Sequence, residues 1–553
     1  MPYFTSGTRM ELGDFSFFSQ AYEAIRISIL HYHQFPWWNP WVAGGVPLYA
    51  NPQIGVFSIQ TLLVFLFGAV VGLKISLALF TFFGYGSMYL LLHRYFKVQI
   101  VAATLLSILW VLGSFFVSHL PAHVTFAWYF VAPFFIYLAL TIRTWRGGLD
   151  LGLAMAVMAL AQVHNPFFHI STICGAILGI RLLMGWSPRK ELLYGILSAG
   201  GVFITLAGHR LMLAAHNVSD FPRIIPDEAA HPLVSVLGIV WPFSNAHTFR
   251  GLLTQPKAPF GFAEVTATEG VFAVFAGLLC LLFVAYSLRG KWQTLFKKEW
   301  RLPACVAVVG LVFLAIGFGS VNHFAPYALM KHLPVLKDMR VSSRWFLFFD
   351  GALLTFIGVV VSRMPQKSFA RMAVLTFLCL GIIELFTLNL GYQNKRMPHN
   401  LLRAPQSSWN YAFDQTHLMG ASKVLPGGQK LPDDGQLDAF YREYEATTFN
   451  LGTLQANDAL VDLNTKPTPR CGYEKGCELV LSGNAKLTFW SPDKIVFTRT
   501  GPGKIKLNMN DSNYFVINGH RDTHLLVAEA YHDFIVPVGD NVQTITIAVQ
   551  PRP

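Results

Sequence analysis

Residues 98–119 read VQIVAATLLSILWVLGSFFVSH, a run that contains no lysine, arginine, aspartate or glutamate. A bilayer core about 30 Å thick is crossed by roughly 20 apolar residues in a helix, so this run is long enough to span a membrane. Similar runs give ten candidate spans, near 72–93, 98–119, 123–142, 149–163, 166–184, 192–213, 270–288, 302–320, 344–362 and 370–391. The sequence therefore predicts an α-helical polytopic membrane domain of about ten transmembrane helices.

The composition supports this class of protein. Hydrophobic residues make up 53% of the chain and charged residues only 13%, with a mean hydropathy of +0.44. Ordinary soluble domains contain about 25% charged residues. The net charge of +12 could indicate nucleic-acid binding, but the basic residues stand between apolar runs. We therefore expect membrane lipid, and no nucleic acid, as a partner.

The distribution of lysine and arginine predicts the orientation of the spans. Five short loops are basic, and these are expected to face the cytoplasm. Their residues are Arg94 and Lys97; Arg143 and Arg146; Arg181, Arg189 and Lys190; Arg289, Lys291, Lys297, Lys298 and Arg301; Arg363, Lys367 and Arg371. The resulting domains are a first extracytoplasmic loop (1–55), a transmembrane domain (56–392) and an extracytoplasmic C-terminal domain (393–553). An N-terminus outside a plasma or inner membrane needs an export signal, so we expect a further helix upstream in the natural chain.

The C-terminal domain has the pattern of short strands. Lys504–Met509 and Thr544–Ile547 alternate polar and apolar residues, which is typical of strands with one buried face. The pattern predicts a β-sandwich from about 480 to 553, after a mixed region with a helix near 404–413. Cys471 and Cys477 could close a small disulfide loop in an oxidising compartment.

Two carboxylates in the first loop are candidate catalytic groups. Glu11 and Asp14 are three residues apart, so one helical turn would place both on one side. A carboxylate partly desolvated among aromatic residues can act as a general base. Asp14 is equally suited to cap the helix that starts at Phe15, and the two roles do not exclude each other.

Arginines near the outer ends of two spans are candidate anion ligands. Arg340 and Arg344 are four residues apart, and a guanidinium group offers a planar set of donors to phosphate oxygens. Headgroup contacts or salt bridges to Asp338 or Asp350 are the structural alternative. Arg210 lies toward the outer end of another span, at a depth where an ionised group needs a protein or cavity environment.

Three further polar or aromatic residues are candidate substrate contacts. Trp38 could stack on a sugar ring or anchor the loop among lipid headgroups. Asn39 stands next to it in a turn-rich segment, and His164 interrupts two apolar helices. Polar groups in such positions also bond to one another across helices.

The loop motifs resemble a known family. Gly13-Asp14-Phe15, Trp38-Asn39-Pro40, Gly44-Gly45-Val46-Pro47-Leu48 and Asn51-Pro52-Gln53 are similar to the first periplasmic loop of YfhO-like proteins of the GT-C superfamily of polytopic glycosyltransferases. Arg340–Trp345 resembles the arginine-bearing segment before a late helix in that family. The resemblance implies transfer of a sugar from a polyprenyl-phosphate-linked donor to an extracytoplasmic glycan, lipid or protein acceptor, with Asp14 as the loop carboxylate. It assigns no metal ligand and leaves use of a divalent cation open.

Two other classes of function compete with this reading. A transporter or flippase of lipid-linked sugars predicts charged residues through the middle of the membrane and repeat symmetry between halves. A structural envelope protein that displays its β domain predicts a closed outer face without a cavity.

Overall fold

A computed structural model of the chain describes residues 9–11, 14–42, 45–119, 123–185, 188–220, 270–288, 298–333, 336, 339, 341–403, 444, 447, 480–507, 514–521, 534–536, 538–539 and 541–550. Arg340, the Cys471–Cys477 pair and the helix expected near 404–413 lie outside these residues. For Glu11, the backbone alone is described.

Helices form nearly all of the described chain between residues 14 and 400. In chain order they are α1 (Asp14–Leu30), α2 (Ile59–Phe67), α3 (Ala69–Tyr89), α4 (Ile100–Leu112), α5 (Ser114–His119), α6 (Ala132–Thr141), α7 (Trp145–Ala161), α8 (Asn165–Leu183), α9 (Arg189–Asp220), α10 (Val271–Ser287), α11 (Lys298–Gly317), α12 (Pro326–Met330), α13 (Phe346–Val361) and α14 (Phe369–Asn400). A π-helical turn extends α3 to Tyr95, and the 3₁₀ segments Val124–Val131 and Ser342–Trp345 lead into α6 and α13.

The helices coincide with the ten predicted spans. Within the described residues, eight helical stretches are long and apolar enough to cross a membrane. The remaining two spans correspond to α7 and α10, each of which has 17 residues. The predicted polytopic helical domain is thus confirmed. The apolar segment after Val56 forms the nine-residue helix α2, which is too short to cross.

The first loop folds around a buried helix and a small hairpin. Every residue of α1 from Phe15 to Ile25 is buried, so this helix belongs to the core on all its faces. Downstream, β2 (Trp38–Asn39) pairs with β3 (Val46–Pro47). Gly45 has φ +105° next to this hairpin, and a Cβ atom there would lie 2.6 Å from the indole nitrogen of Trp38. Glycine therefore allows the close approach of the indole ring.

The C-terminal part of the chain contains two antiparallel sheets. One has five strands, in the order β10 (His520–Arg521), β9 (Phe515–Ile517), β12 (Thr544–Val549), β7 (Lys494–Arg499), β6 (Ala485–Ser491). The other has the order β11 (Phe534–Ile535), β8 (Lys506–Leu507), β5 (Val480–Ser482). The predicted alternation is confirmed in β12, where Ile545 and Ile547 are buried and Thr544 is exposed.

The segment before the first helix pairs with the segment that follows the last helix. Strand β1 (Arg9–Glu11) pairs with β4 (Leu401–Arg403), which directly follows α14. The five-stranded sheet also packs on the first loop, because the ring of Trp38 lies 5.1 Å from Phe515 and Trp490 lies 6.1 Å from Trp41. The sheets and the first loop therefore occupy the same end of the helical domain.

Candidate functional site

The side chain of Asp14 makes a hydrogen-bonding contact with His123 that the sequence did not predict. Its Oδ2 lies 2.8 Å from Nε2 of His123, the residue immediately before the 3₁₀ segment Val124–Val131. Asp14 is the first residue of α1, where a carboxylate interacts favourably with the helix dipole. The side chain is 37% exposed, so one part of the carboxylate is held by protein while another part remains accessible.

Phe126 connects three predicted site residues, since it contacts Arg344 and His164 directly and Asp14 through His123, which was not predicted. The imidazole of His123 stacks on its ring at a centroid distance of 4.6 Å. The guanidinium carbon of Arg344 lies over the same ring, also 4.6 Å from its centroid. The ring of His164 is 6.4 Å away and nearly parallel. His123, which contacts Asp14, and Arg344 therefore both lie against the phenyl ring of Phe126.

Arg344 owes its position to the 3₁₀ segment Ser342–Trp345. All four residues of this turn are buried, and Arg344 is 8% exposed. A cation over an aromatic face is stabilised by the quadrupole of the ring, by about 0.5–2 kcal/mol. Phe126 thus holds the guanidinium group of Arg344 in place beside the Asp14–His123 contact.

Behind this site lies a buried aromatic and polar cluster. Tyr129 Oη is 2.9 Å from His169 Nδ1, which is also 2.7 Å from the carbonyl oxygen of Asn165. The ring of His169 contacts Trp345 at 4.7 Å. These contacts connect α8 to the segment that presents Arg344, so they give the site a rigid back wall.

Arg210 is placed as a ligand of the first loop. Its guanidinium group is fully buried and donates hydrogen bonds to the carbonyl oxygens of Tyr49, Asn51 and Ile54, the last at 2.7 Å. It also lies 5.0 Å from the centroid of the Tyr49 ring. Burial raises the pKa of Tyr22 to about 12, so this neighbouring phenol stays neutral at pH 7. The substrate role predicted for Arg210 remains a prediction, and the observed contacts hold the loop to α9.

Trp38 and Asn39 also make contacts within the protein. Trp38 is 3% exposed. Asn39 exchanges hydrogen bonds with Gln20, which in turn donates to Thr447 at 2.8 Å. Trp41 donates its backbone N–H to Asn39 Oδ1. Both predicted substrate contacts stay predictions, and both residues connect the first loop to its surroundings. Glu11 lies in β1, three residues before Asp14.

The described residues contain no group of three histidine, cysteine, aspartate or glutamate side chains arranged to hold a metal ion. Asp14 and His123 supply two such ligands at most, fewer than the three protein ligands of catalytic zinc sites. These two residues therefore give no evidence for a bound divalent cation, and the use of a cation stays open.

An apolar groove lies next to the Val124–Val131 segment, which contributes Trp128 and Val131 to its lining. It has a volume of about 830 Å³, and most of its other lining side chains belong to α3, α6 and α7, including Phe80 and Asp150. Phe82 and Phe83, which also line it, are exposed on the helical domain. The groove is therefore open to the surface that a membrane would cover.

Comparisons with known proteins give limited guidance. No family model matches the chain, and no curated protein matches its sequence. Among solved structures, it is similar to the crystal structure of ArnT from Cupriavidus metallidurans bound to undecaprenyl phosphate, with 13% identity over 83% of this chain and 84% of that chain. The TM-score is 0.33, so the functional proposal below depends on the side chains of this chain.

Proposed function

We propose that the chain is a membrane glycosyltransferase of the GT-C type, related to the YfhO-like proteins. It moves a sugar from a polyprenyl-phosphate donor to an extracytoplasmic glycan, lipid or protein acceptor at the plasma or inner membrane. The observation on which this proposal depends is the convergence of Asp14 and Arg344 around Phe126. These two residues are far apart in the sequence, and both were predicted from the sequence as site residues.

The carboxylate of Asp14 suits the role of a general base. Its accessible oxygen takes the proton of the acceptor hydroxyl while the hydroxyl oxygen bonds to the anomeric carbon of the sugar. The bond between that carbon and the phosphate oxygen breaks, and its electron pair leaves with the phosphate. Such a base accelerates a reaction by about 100- to 10,000-fold.

Arg344 suits the role of the phosphate ligand. Charge grows on the phosphate oxygens as the sugar leaves, and a fixed cation in a partly buried site stabilises that charge better than water does. Arg340, predicted as its partner, lies outside the described residues. His164 lies on the same phenyl ring and is close enough to contribute to substrate binding.

A lipid-linked donor is supported by the apolar groove. A polyprenyl chain is a flexible hydrocarbon that lies in the bilayer, so its binding in the groove would come from van der Waals packing against aromatic side chains rather than from transfer out of water. The groove includes Trp128 of the Val124–Val131 segment and Arg344 contacts Phe126 of the same segment, so one segment would contact both parts of the donor lipid.

The test is a transfer assay with the full chain in nanodiscs and a panel of undecaprenyl-phosphate sugars. Asp14→Asn should lower kcat by about 100-fold or more while undecaprenyl phosphate still binds. Arg344→Met should weaken that binding. The matched control is Glu191→Gln, the same change at an exposed carboxylate in the first turn of α9.

Other results would identify a different function. Unchanged turnover in Asp14→Asn would remove this residue from the mechanism. Movement of a labelled lipid across the bilayer without any transfer would support the flippase alternative instead.

A further inference from the structure

His123 is held more firmly than a surface histidine. Its backbone N–H donates to the carbonyl oxygen of His119 at 2.7 Å, and its ring stacks on Phe126 with an interplanar angle of 21°. The only atom of the ring that meets a carboxylate is Nε2, at 2.8 Å from Asp14 Oδ2. The imidazole therefore has one orientation relative to Asp14, set by two independent contacts.

The hydrogen bond also determines which nitrogen holds the proton. An ionised carboxylate only accepts hydrogen bonds, so Nε2 must donate. Nδ1 is buried, and among the described residues it has no hydrogen-bond partner. The geometry therefore assigns a proton to Nε2, and this N–H group makes the contact with Asp14.

We propose that His123 is a positioning residue for Asp14. This inference rests on the proposed function, in which Asp14 is the base. The Nε2–H group holds Oδ2 and so directs Oδ1 toward the acceptor hydroxyl. The proton taken from the acceptor stays on Oδ1 and leaves to solvent, because Nε2 already has a proton and cannot accept another.

Phe126 separates the roles of the two polar groups that contact it. His123 contacts Asp14, the proposed base, whereas Arg344 is the proposed ligand of the donor phosphate. Removal of the imidazole should therefore affect the chemical step, and replacement of the phenyl ring should affect both the chemical step and lipid-phosphate binding.

The experiment compares His123→Ala, His123→Gln and Phe126→Leu with the wild type in the transfer assay. His123→Ala should lower kcat by about 10- to 100-fold with the KM for the donor unchanged, since the donor does not contact His123. The amide of His123→Gln can donate to Oδ2 and should restore kcat to within a few-fold of wild type. The acid limb of the pH–rate profile should move to higher pH in His123→Ala alone, because the carboxylate has lost a donor that favours its ionised form.

Phe126→Leu should lower kcat and also weaken binding of undecaprenyl phosphate. The matched control is His119→Gln, which removes a histidine whose ring lies 5.3 Å from the same phenyl ring. A His123→Gln variant as inactive as His123→Ala would overturn a positioning role, and so would wild-type kcat in His123→Ala.

A second measurement separates this inference from the proposed function. The [¹⁵N]histidine NMR spectrum of the wild type in nanodiscs, assigned by difference from His123→Gln, should show a protonated Nε2 in His123. An unprotonated Nε2 overturns the inference whether or not sugar is transferred. Absence of transfer by the wild type with the expected tautomer would count against the proposed function alone.

Discussion

Replacement of Arg210 by methionine tests the contact on which the first loop depends. The guanidinium group of this residue is fully buried and donates to three carbonyl oxygens of the loop, at Tyr49, Asn51 and Ile54. Methionine keeps most of the length and apolar volume of the side chain but provides no donor. Lysine keeps the charge but lacks the planar fork, so it can reach fewer of the three oxygens.

The magnitude follows from those three bonds. Tyr49 O and Ile54 O would lose this donor, which raises the free energy of the folded state by about 1–3 kcal/mol for each buried oxygen, whereas Asn51 O would still accept from the N–H of Ile54. Removing a buried charge recovers part of its desolvation free energy, so we expect a net loss of about 3–5 kcal/mol for Arg210→Met and roughly half of that for Arg210→Lys. If the substitution lowers the free energy of local opening of the loop by about 3 kcal/mol, the open state becomes about 100-fold more populated.

Hydrogen exchange measured by mass spectrometry provides the assay. The amides of Asn51 and Ile54 are bonded within the loop, and they should exchange about 100-fold faster in Arg210→Met. The matched control is Arg181→Met, since the guanidinium group of Arg181 is also buried and donates to Ala139 O and Ile142 O, both at 2.6 Å. This control should leave exchange of the loop unchanged.

The same variant decides between two roles for Arg210. Unchanged exchange together with loss of undecaprenyl phosphate binding would refute the structural argument and support the substrate role predicted from the sequence. Faster exchange with normal binding would support the structural role.

Two further changes have expected outcomes. Burial raises the pKa of the Asp493 carboxyl group from 3.8 to about 8, so the stability it contributes is fully present below pH 4 and is lost as the pH rises through about 8. Asp493→Asn should therefore stabilise the C-terminal sheets at pH 8 and flatten the fall in denaturation midpoint between pH 4 and pH 8; an unchanged slope would contradict this cause. Glu384 accepts hydrogen bonds at 3.2 Å from the backbone N–H groups of Val271 and Phe272, at the start of α10. Glu384→Ala should lower the free energy of unfolding by about 1 kcal/mol and Glu384→Gln by less, measured by denaturant titration. Equal losses would assign the effect to the charge alone, and no loss in Glu384→Ala would contradict the capping role.

The membrane helices could be predicted because the bilayer sets their length and composition. Each predicted span coincides with a helix or with two consecutive helical segments, including the short span near 149–163, which is the 17-residue helix α7. The helices α9 and α14 extend beyond the predicted ends, to Asp220 and Asn400. The strand predicted at Thr544–Ile547 was found for a similar reason, since a sheet with one buried face requires a period of two. These are local patterns that a sequence displays directly.

The site could be predicted only in part. Asp14 and Arg344 are charged groups at unusual positions relative to the membrane, and that contrast is visible in the sequence. His123 and Phe126 were missed because they gain their importance from contacts between segments that are distant in the chain. The available signal was weak: His123 stands at the outer end between two apolar spans, on the same predicted side as Asp14.

The observed contacts of the first-loop motifs hold the backbone of the loop in its conformation. Trp38 requires glycine at position 45, Asn39 is bonded to Gln20, and the carbonyl oxygens after Leu48 accept from Arg210. A motif that fixes a loop conformation can be shared by proteins with different substrates, because specificity depends on the side chains around the reacting atoms. In the proposed site those side chains come from α1 and from the segments that contain His123 and Arg344. Under the proposed function, the identities of the sugar and the acceptor should therefore vary with residues near Phe126 rather than with the loop motifs.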